Sequence, residues 1–173
     1  IRAVPGVVNA GATSQVPLKV NDPQATFYLL AGQSKASIPG QVALMRTVSR
    51  DYLLTIGARL REGRFFETSD LHSELLVAIV NESFANRNFP GRSAIGARFQ
   101  YGQLNEKGWW YTIVGVVREI REVGIEEELR PTVYRLLEHS QQVGSEPSAI
   151  VVRTSVEPAS IVAAVRQAIW SVD

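Results

Sequence analysis

The chain has 173 residues, which is enough for one domain or two small lobes with a substantial buried core. Its apolar fraction of 45% and its charged fraction of 20% are ordinary for a folded soluble domain. A formal net charge of +1 gives no electrostatic case for binding nucleic acid or for a polybasic membrane patch. The absence of cysteine excludes disulfide bonds and thiolate metal sites.

The sequence indicates a segment of a longer protein. It begins at Ile1 rather than at a methionine, and residues 1–4 resemble the end of a helix that Pro5 and Gly6 interrupt. No apolar run approaches the roughly 18 residues of a membrane span, and no signal peptide is recognisable. We therefore expect any membrane spans of the parent protein to lie outside this sequence.

The first third of the chain has the pattern of short strands joined by turn-rich loops. Concentrated apolar and β-branched residues predict strands over residues 7–14, 25–30 and 41–48. Ser49 is predicted to cap a short helix over residues 50–56, and Gly57 is predicted to end it.

The middle of the chain begins with a nearly continuous apolar run at residues 75–80, which predicts a strand buried on both faces. Asn81 follows as the predicted N-cap of a two-turn helix, with Phe84 and Phe89 as its core anchors. The many polar residues around this helix are interpreted as capping groups rather than as a reactive loop. Further strands are predicted over residues 98–101 and 109–120.

The last third returns to the pattern of the first. Strands are predicted over residues 133–137 and 149–153, and proline at 158 opens a helix at its first position. The apolar residues of this helix share one face, which predicts packing on the sheet: Ile161, Val162, Val165 and Ile169.

Motifs for chemistry are weak throughout. Residues 31–37 contain glycine, serine and lysine, but without the spacing of a phosphate-binding loop. An acidic cluster with one histidine (Glu67, Asp70, His72 and Glu74) lacks any metal-site spacing and is interpreted as a solvated turn with a local cap. No nucleophile motif accompanies either histidine. The sequence therefore predicts no catalytic residue, no cofactor and no metal.

Trp109 and Trp110 stand together at the start of a predicted strand. Because side chains alternate between the faces of a strand, one indole is expected to face the core and the other to be partly exposed. They serve either as core and edge cover or as a contact for a partner protein or apolar ligand.

Four blocks of sequence, in this order, resemble the periplasmic core domain of MacB-type ABC transporter permeases, in the wider MacB/FtsX-type superfamily. They are TVSRDYLLTIGARLREGRFFETSD, VAIVNESFANRNFPGRSAIGARF, WYTIVGVVREIREVGIEEELRPTVY and VVRTSVEPASIVAAVRQAIWSVD. Each block alone is weakly specific, whereas their order over nearly the whole chain is specific.

The resemblance implies an α+β fold with two lobes. Residues 1–56 plus 121–173 would form a Porter-like β-α-β lobe, and residues 57–120 a smaller, inserted Sabre-like α/β lobe. Gly57 and Gly124 flank the insertion, where backbone rotation is easy for glycine, and we predict a hinge near them.

The resemblance also implies a role and partners. The domain would lie on the periplasmic side of a bacterial inner membrane, joined to the transmembrane part of its own permease. Cytoplasmic ATP hydrolysis by an ABC ATPase would move the membrane helices, and this domain would relay the motion outward to drive export or efflux, a process called mechanotransmission. A membrane-fusion adaptor is a further expected partner. The parent is expected to be dimeric and the isolated chain monomeric.

A second function remains open at this point. On the same scaffold, FtsX-like permeases carry periplasmic domains that sense a ligand or activate a partner. Neighbouring genes would distinguish the two, because an adaptor and an outer-membrane channel favour efflux, whereas a sensor kinase or a hydrolase favours the alternative.

Overall fold

The computed structural model describes residues 1–18, 25–102, 104, 108–123, 126, 128–142 and 147–171. Within them the chain has a mixed sheet of nine strands and three α-helices, so the predicted α+β class is confirmed. The elements in chain order are β1 Val7–Thr13, β2 Ala25–Leu30, β3 Val42–Val48, α1 Tyr52–Thr55, β4 Leu60–Gly63, β5 Leu76–Asn81, α2 Glu82–Asn88, β6 Arg98–Tyr101, β7 Trp110–Val117, β8 Thr132–Leu136, β9 Ala149–Thr154 and α3 Pro158–Trp170.

Most predicted strands lie within one residue of their observed bounds, but two local predictions are wrong and one strand was missed. The strand predicted over 109–120 ends at Val117, and β4 was not predicted. Ser49 does not cap α1, because its hydroxyl instead accepts a hydrogen bond from the backbone N–H of Ala12 at 2.8 Å. Because the end of β3 lies beside β1, the Ser49 side chain bonds to β1 and is not available to cap α1.

Six of the strands close into a ring. Strand β2 pairs with β6, β6 with β7, β7 with β5, β5 with β8, β8 with β3, and β3 with β2 again. The pairs β3–β8 and β5–β7 are parallel, and the other four are antiparallel. Closure leaves these strands without open edges on the ring, which favours a rigid body.

The remaining strands extend the ring. Strand β4 pairs with the end of β7, β1 meets the end of β3, and β9 pairs antiparallel with β1. Gly63 and Gly115 lie opposite each other where β4 meets β7. A side chain at Gly115 would come within 2.2 Å of the carbonyl oxygen of Arg64, so only glycine permits this close approach.

The main core fills the interior of the ring, where alternate residues of all six strands converge on α2. The Phe84 ring lies at the centre, 4.8 Å from the Tyr28 ring and 5.5 Å from the Phe99 ring, between centroids. Phe84 and Phe89 are both buried, so their prediction as core anchors is confirmed. Aromatic side chains at these separations attract each other, which stabilises the core beyond the apolar area they bury. Helix α2 thereby fills the interior of the ring of strands as a plug.

A second core lies on the outer face of the ring beneath α1. Tyr52 and Leu53 of this short helix pack there against Ile79 of β5 and Tyr134 of β8. Gly11 of β1 lies against the backbone of Tyr52, where an added Cβ would come within 2.5 Å of its Cα. The helix α1 is therefore held between the ring and β1.

The sheet crosses the predicted boundaries between lobes without a gap. Ala78 of β5 lies opposite Arg135 of β8, and Tyr28 of β2 lies opposite Tyr101 of β6. Each of these pairs joins the segment 57–120 to one of its flanks. The division into Porter-like and Sabre-like lobes stays a prediction, and such lobes would share one continuous sheet.

Helix α3 packs only lightly. Of its four predicted core-facing residues, Ile161 is buried, Val165 and Ile169 are half-buried, and Val162 is exposed. No helix in the described ranges is both long and apolar enough to cross a membrane.

Candidate functional site

The polar residues after β5 form a structural joint centred on Asn81. Its side-chain oxygen accepts from the backbone N–H of Phe84 at 3.0 Å and of Thr132 at 2.8 Å. Its side-chain nitrogen donates to a carboxylate oxygen of Glu119 and to the carbonyl of Arg130, both at 2.8 Å. Asn81 is fully buried and has four partners, so it caps α2 as predicted and also ties down the starts of β8 and of the segment after β7.

Glu119 completes this joint from the other side. Its second carboxylate oxygen accepts a hydrogen bond from the backbone N–H of Ser83 in the first turn of α2. A negative charge is favourable there because the first N–H groups of a helix have no intrahelical acceptor. Both carboxylate oxygens of Glu119 thus accept structural hydrogen bonds, one from Asn81 and one from α2.

A buried ion pair lies a few residues further along. The guanidinium of Arg46 donates to the carboxylate of Glu122 with an Nε–Oε2 distance of 2.7 Å, and the Tyr134 hydroxyl donates to the same carboxylate at 2.7 Å. Burial, followed by the Glu122 charge, raises the pKa of Tyr134 well above its usual value. Burial and Glu122 likewise raise the pKa of Tyr52 to about 12. Both tyrosines therefore remain neutral, and Tyr134 acts as a hydrogen-bond donor.

The acidic cluster around Asp70 is a folded turn. The Arg64 guanidinium donates to the two Asp70 carboxylate oxygens at 2.6 and 2.8 Å, and the Glu67 N–H donates at 2.8 Å. Burial alone would raise the pKa of Asp70, but these bonds outweigh it and lower that pKa. His72 and Glu74 are exposed. Among the described residues no group of three histidine or acidic side chains is placed to hold a metal.

Gly57 ends α1 with a φ of +77°, in the left-handed region that glycine favours. The Arg153 side chain from β9 covers it: Nε of Arg153 donates to the Thr55 carbonyl at 2.8 Å, and a Cβ on Gly57 would lie 2.6 Å from Arg153 Nη2. The hinge at Gly57 stays a prediction. Its proposed partner Gly124 lies outside the described residues.

Gly57 also lines a cleft of about 510 Å³, a feature that the sequence did not predict. Its walls are the end of α1 through residue 59, the segment 118–121 after β7, and Pro17 and Leu18 after β1. These segments are distant in sequence, and each one alone has the composition of an ordinary loop. Only their position in the sheet brings them together.

Neither tryptophan faces the core, so the prediction for this pair is wrong in one respect. Trp109 is 41% exposed, Trp110 is half-buried, and the residue that enters the ring is Tyr111. The Arg98 guanidinium lies 5.4 Å from the centre of the Trp110 ring, a cation–π contact. Side chains do alternate between the two faces of β7 as predicted, but the first one to face the core is Tyr111 rather than a tryptophan. Both indoles therefore remain available at the surface.

A family model described as the MacB-like periplasmic core domain matches residues 2–172 of the chain. None of the curated proteins compared with the chain matches it.

Among the solved structures that resemble the chain, two illustrate the similarity. The periplasmic region of MacB from Actinobacillus actinomycetemcomitans has a TM-score of 0.69 at 12% identity, covering 99% of this chain and 70% of that one. The extracellular domain of the noncanonic ABC-type transporter YknZ from Gram-positive bacteria has a TM-score of 0.62 at 16% identity, covering 92% and 71%. At such low identities these similarities concern the fold alone.

Proposed function

The chain belongs to the family of MacB-like periplasmic core domains, and from that premise we propose that it relays ATP-driven motion of its permease to the export of a substrate. It is an extracytoplasmic domain of an ABC transporter permease, so a transmembrane part and an ATPase are its partners. The family match over residues 2–172 is the observation that carries the proposal.

The architecture supports a relay because a relay must transmit displacement without absorbing it. The closed ring, the plug formed by α2 and the buried Arg46–Glu122 pair all resist deformation. The polar side chains around Asn81 and Asp70 are occupied by structural bonds. These features favour a domain that moves largely as one body.

Export further requires a surface for a partner outside the membrane. We propose that Trp109 and Trp110 contribute to it, because exposed aromatic side chains are enriched in protein interfaces. A membrane-fusion adaptor is the proposed partner, and the parent permease is proposed to be a dimer.

Cross-linking in the parent permease tests the relay. The chain has no cysteine, so a cysteine in place of the exposed Arg166 on α3 gives a single attachment point in each copy of the domain. After reconstitution with the ATPase, a bifunctional maleimide should stop export while ATP hydrolysis continues. The same variant treated with a monofunctional maleimide is the control and should export normally. Export at the normal rate after complete cross-linking would contradict the relay.

A glycine comparison tests the predicted hinge, which is the alternative to movement of the domain as one body. Gly57→Ala restricts the backbone at the boundary, and it is made together with Arg153→Ala because an added Cβ would lie 2.6 Å from Arg153 Nη2. Arg153→Ala alone controls for the lost side chain, and Gly91→Ala imposes a comparable backbone restriction at φ +71° in open space within the turn after α2. The hinge predicts that export per ATP hydrolysed falls severalfold in the first variant only. Equal coupling in all three variants would show that Gly57 is an ordinary helix terminator.

Partner activation is distinguished by replacing Trp109 with alanine. If export continues while an associated enzyme or sensor loses its response, the tryptophan surface serves the sensing or partner-activating role and is not the adaptor contact.

A further inference from the structure

The cleft beside Gly57 has an apolar floor and a cationic rim. Leu18, Ile56 and Ile120 are the large aliphatic residues of its lining. Its volume of about 510 Å³ lies within the roughly 300–1,000 Å³ typical of small-molecule sites.

The rim carries more positive than negative charge. Arg59 and Arg118 are exposed there, and neither forms an ion pair with another described residue. Arg121 adds a third guanidinium to the lining. The single lining carboxylate, Glu119, is held by Asn81 and by the first turn of α2. The two unpaired guanidiniums therefore lack a fixed anion within the described part of the chain.

One wall of the cleft is held in an unusual conformation. Leu18 has a φ of +65°, the one positive φ among the described residues other than glycine. Its backbone N–H donates to the carbonyl of Glu122 at 3.0 Å, and the Glu122 side chain is fixed by Arg46. A leucine in the left-handed region is strained, and such conformations concentrate where ligands bind. The bond to Glu122 keeps Leu18 at the wall, where it remains 47% exposed.

We propose that this cleft binds a small amphipathic anion. A carboxylate or phosphate head would bridge Arg59 and Arg118, since guanidinium groups donate paired hydrogen bonds to such anions. The apolar body of the ligand would cover Leu18, Ile56 and Ile120. This binding is separate from the proposed relay and does not depend on transport.

Titration of the purified chain with octanoate, octyl phosphate and the neutral octyl glucoside tests the proposal. Backbone amide NMR should show saturable shifts centred on Gly57, Ala58 and Ile120 with one or both anions, and binding at least tenfold weaker for octyl glucoside. The stronger of the two anions identifies the headgroup. Binding should weaken as salt rises, because the rim is exposed.

Two variants with the same change in net charge separate the cleft from general electrostatics. Arg59→Glu/Arg118→Glu should weaken anion binding at least tenfold. Lys35→Glu/Arg166→Glu, on exposed positions outside the cleft lining, should bind like the original chain. Equal binding by both variants, or shifts that do not map to the cleft, would overturn the proposal.

A third variant tests the apolar wall. Leu18→Asn introduces a residue that tolerates positive φ, so the backbone conformation is kept, but the apolar surface is lost. We therefore expect several-fold weaker octanoate binding, with an unchanged amide spectrum elsewhere. Unchanged octanoate affinity in this variant would contradict the role of Leu18 as apolar contact for the ligand. None of these measurements involves export, so their failure leaves the relay untouched.

Discussion

Arg46 and Glu122 form an ion pair with an Nε–Oε2 distance of 2.7 Å, and their side chains are 0% and 2% exposed. Arg46 lies in β3, inside the ring's hydrogen-bonded framework, whereas Glu122 belongs to the irregular segment that follows β7. Their pairing fastens that segment, which forms a wall of the cleft, to the sheet. Neither charge could be buried here alone, because an uncompensated buried ion is strongly destabilising.

The first prediction concerns the loss of one partner of this ion pair. Glu122→Gln keeps the shape but leaves the Arg46 charge buried without its counter-ion, so we expect a loss of about 3–5 kcal/mol in the free energy of unfolding. Chemical denaturation measures it. The matched control is Arg61→Ala, which breaks an exposed Arg61–Glu82 pair at 3.4 Å and should cost less than about 1 kcal/mol. Similar small losses in both variants would show that burial of the Arg46–Glu122 pair is incomplete.

The second prediction concerns the joint at Asn81. Asn81→Ala removes four hydrogen bonds and leaves the buried N–H of Thr132 without its acceptor, so we expect a loss of about 3 kcal/mol. Asn86→Ala, on the exposed side of the same helix, should cost less than about 0.5 kcal/mol. Thermal and chemical unfolding of both variants provide the comparison, and a near-equal cost would refute the assigned role of Asn81.

The third prediction uses the facing glycines of β4 and β7. Gly63 has a φ of +75°, and an added Cβ would come within 2.2 Å of the Val114 carbonyl oxygen. Backbone cannot move aside as a flexible side chain can, so Gly63→Ala should cost at least about 3 kcal/mol. Gly91→Ala, with a φ of +71° and open space around it, should cost only about 1 kcal/mol. Equilibrium unfolding would contradict this account if the two costs were the same.

The fourth prediction is a pH dependence. Hydrogen bonds from Arg50 lower the pKa of Asp51, and those from Arg64 and Glu67 lower that of Asp70 despite its burial. A depressed pKa in the folded state means that the unfolded chain takes up the proton first as pH falls. The stabilisation is therefore complete above about pH 4, near the carboxyl pKa of an unfolded chain, and is lost as pH drops through the lower folded pKa.

Asp70→Asn tests this assignment. The variant should be less stable at neutral pH, and its free energy of unfolding should fall less steeply below about pH 4 than that of the original chain. Glu74→Gln replaces an exposed carboxylate nearby and should leave the profile almost unchanged. A profile for Asp70→Asn parallel to the original would mean that Asp70 does not carry the acid sensitivity.

Local features were predictable because neighbouring residues determine them. The apolar run before Asn81 required a buried strand, and Asn81 itself had to cap the helix that follows. Gly57 similarly marked the end of α1. Strand β4 was missed because three of its four residues are exposed and only Leu60 is a large apolar residue, so its pairing with β7 has no local pattern.

Long-range features were not predictable from one sequence. The ring closes through β2–β3 and β5–β8 pairings, and neither the strand order nor the parallel pairs leave a local signal. The pairing of Arg46 with Glu122 spans 76 residues. For the same reason the cleft was invisible, because its arginines and apolar residues come from three separate loops.

The most direct test of the relay is a distance measurement between the two copies of this domain in the parent permease. A spin label on a cysteine at position 166 reports that distance by pulsed electron resonance in the nucleotide-free and ATP-trapped states, with the ATPase present. The account predicts a clear change in distance between the states, while a second label pair within one domain, at positions 92 and 166, stays constant if the domain moves as one body. An unchanged distance between the copies in a permease that is actively exporting would contradict the relay.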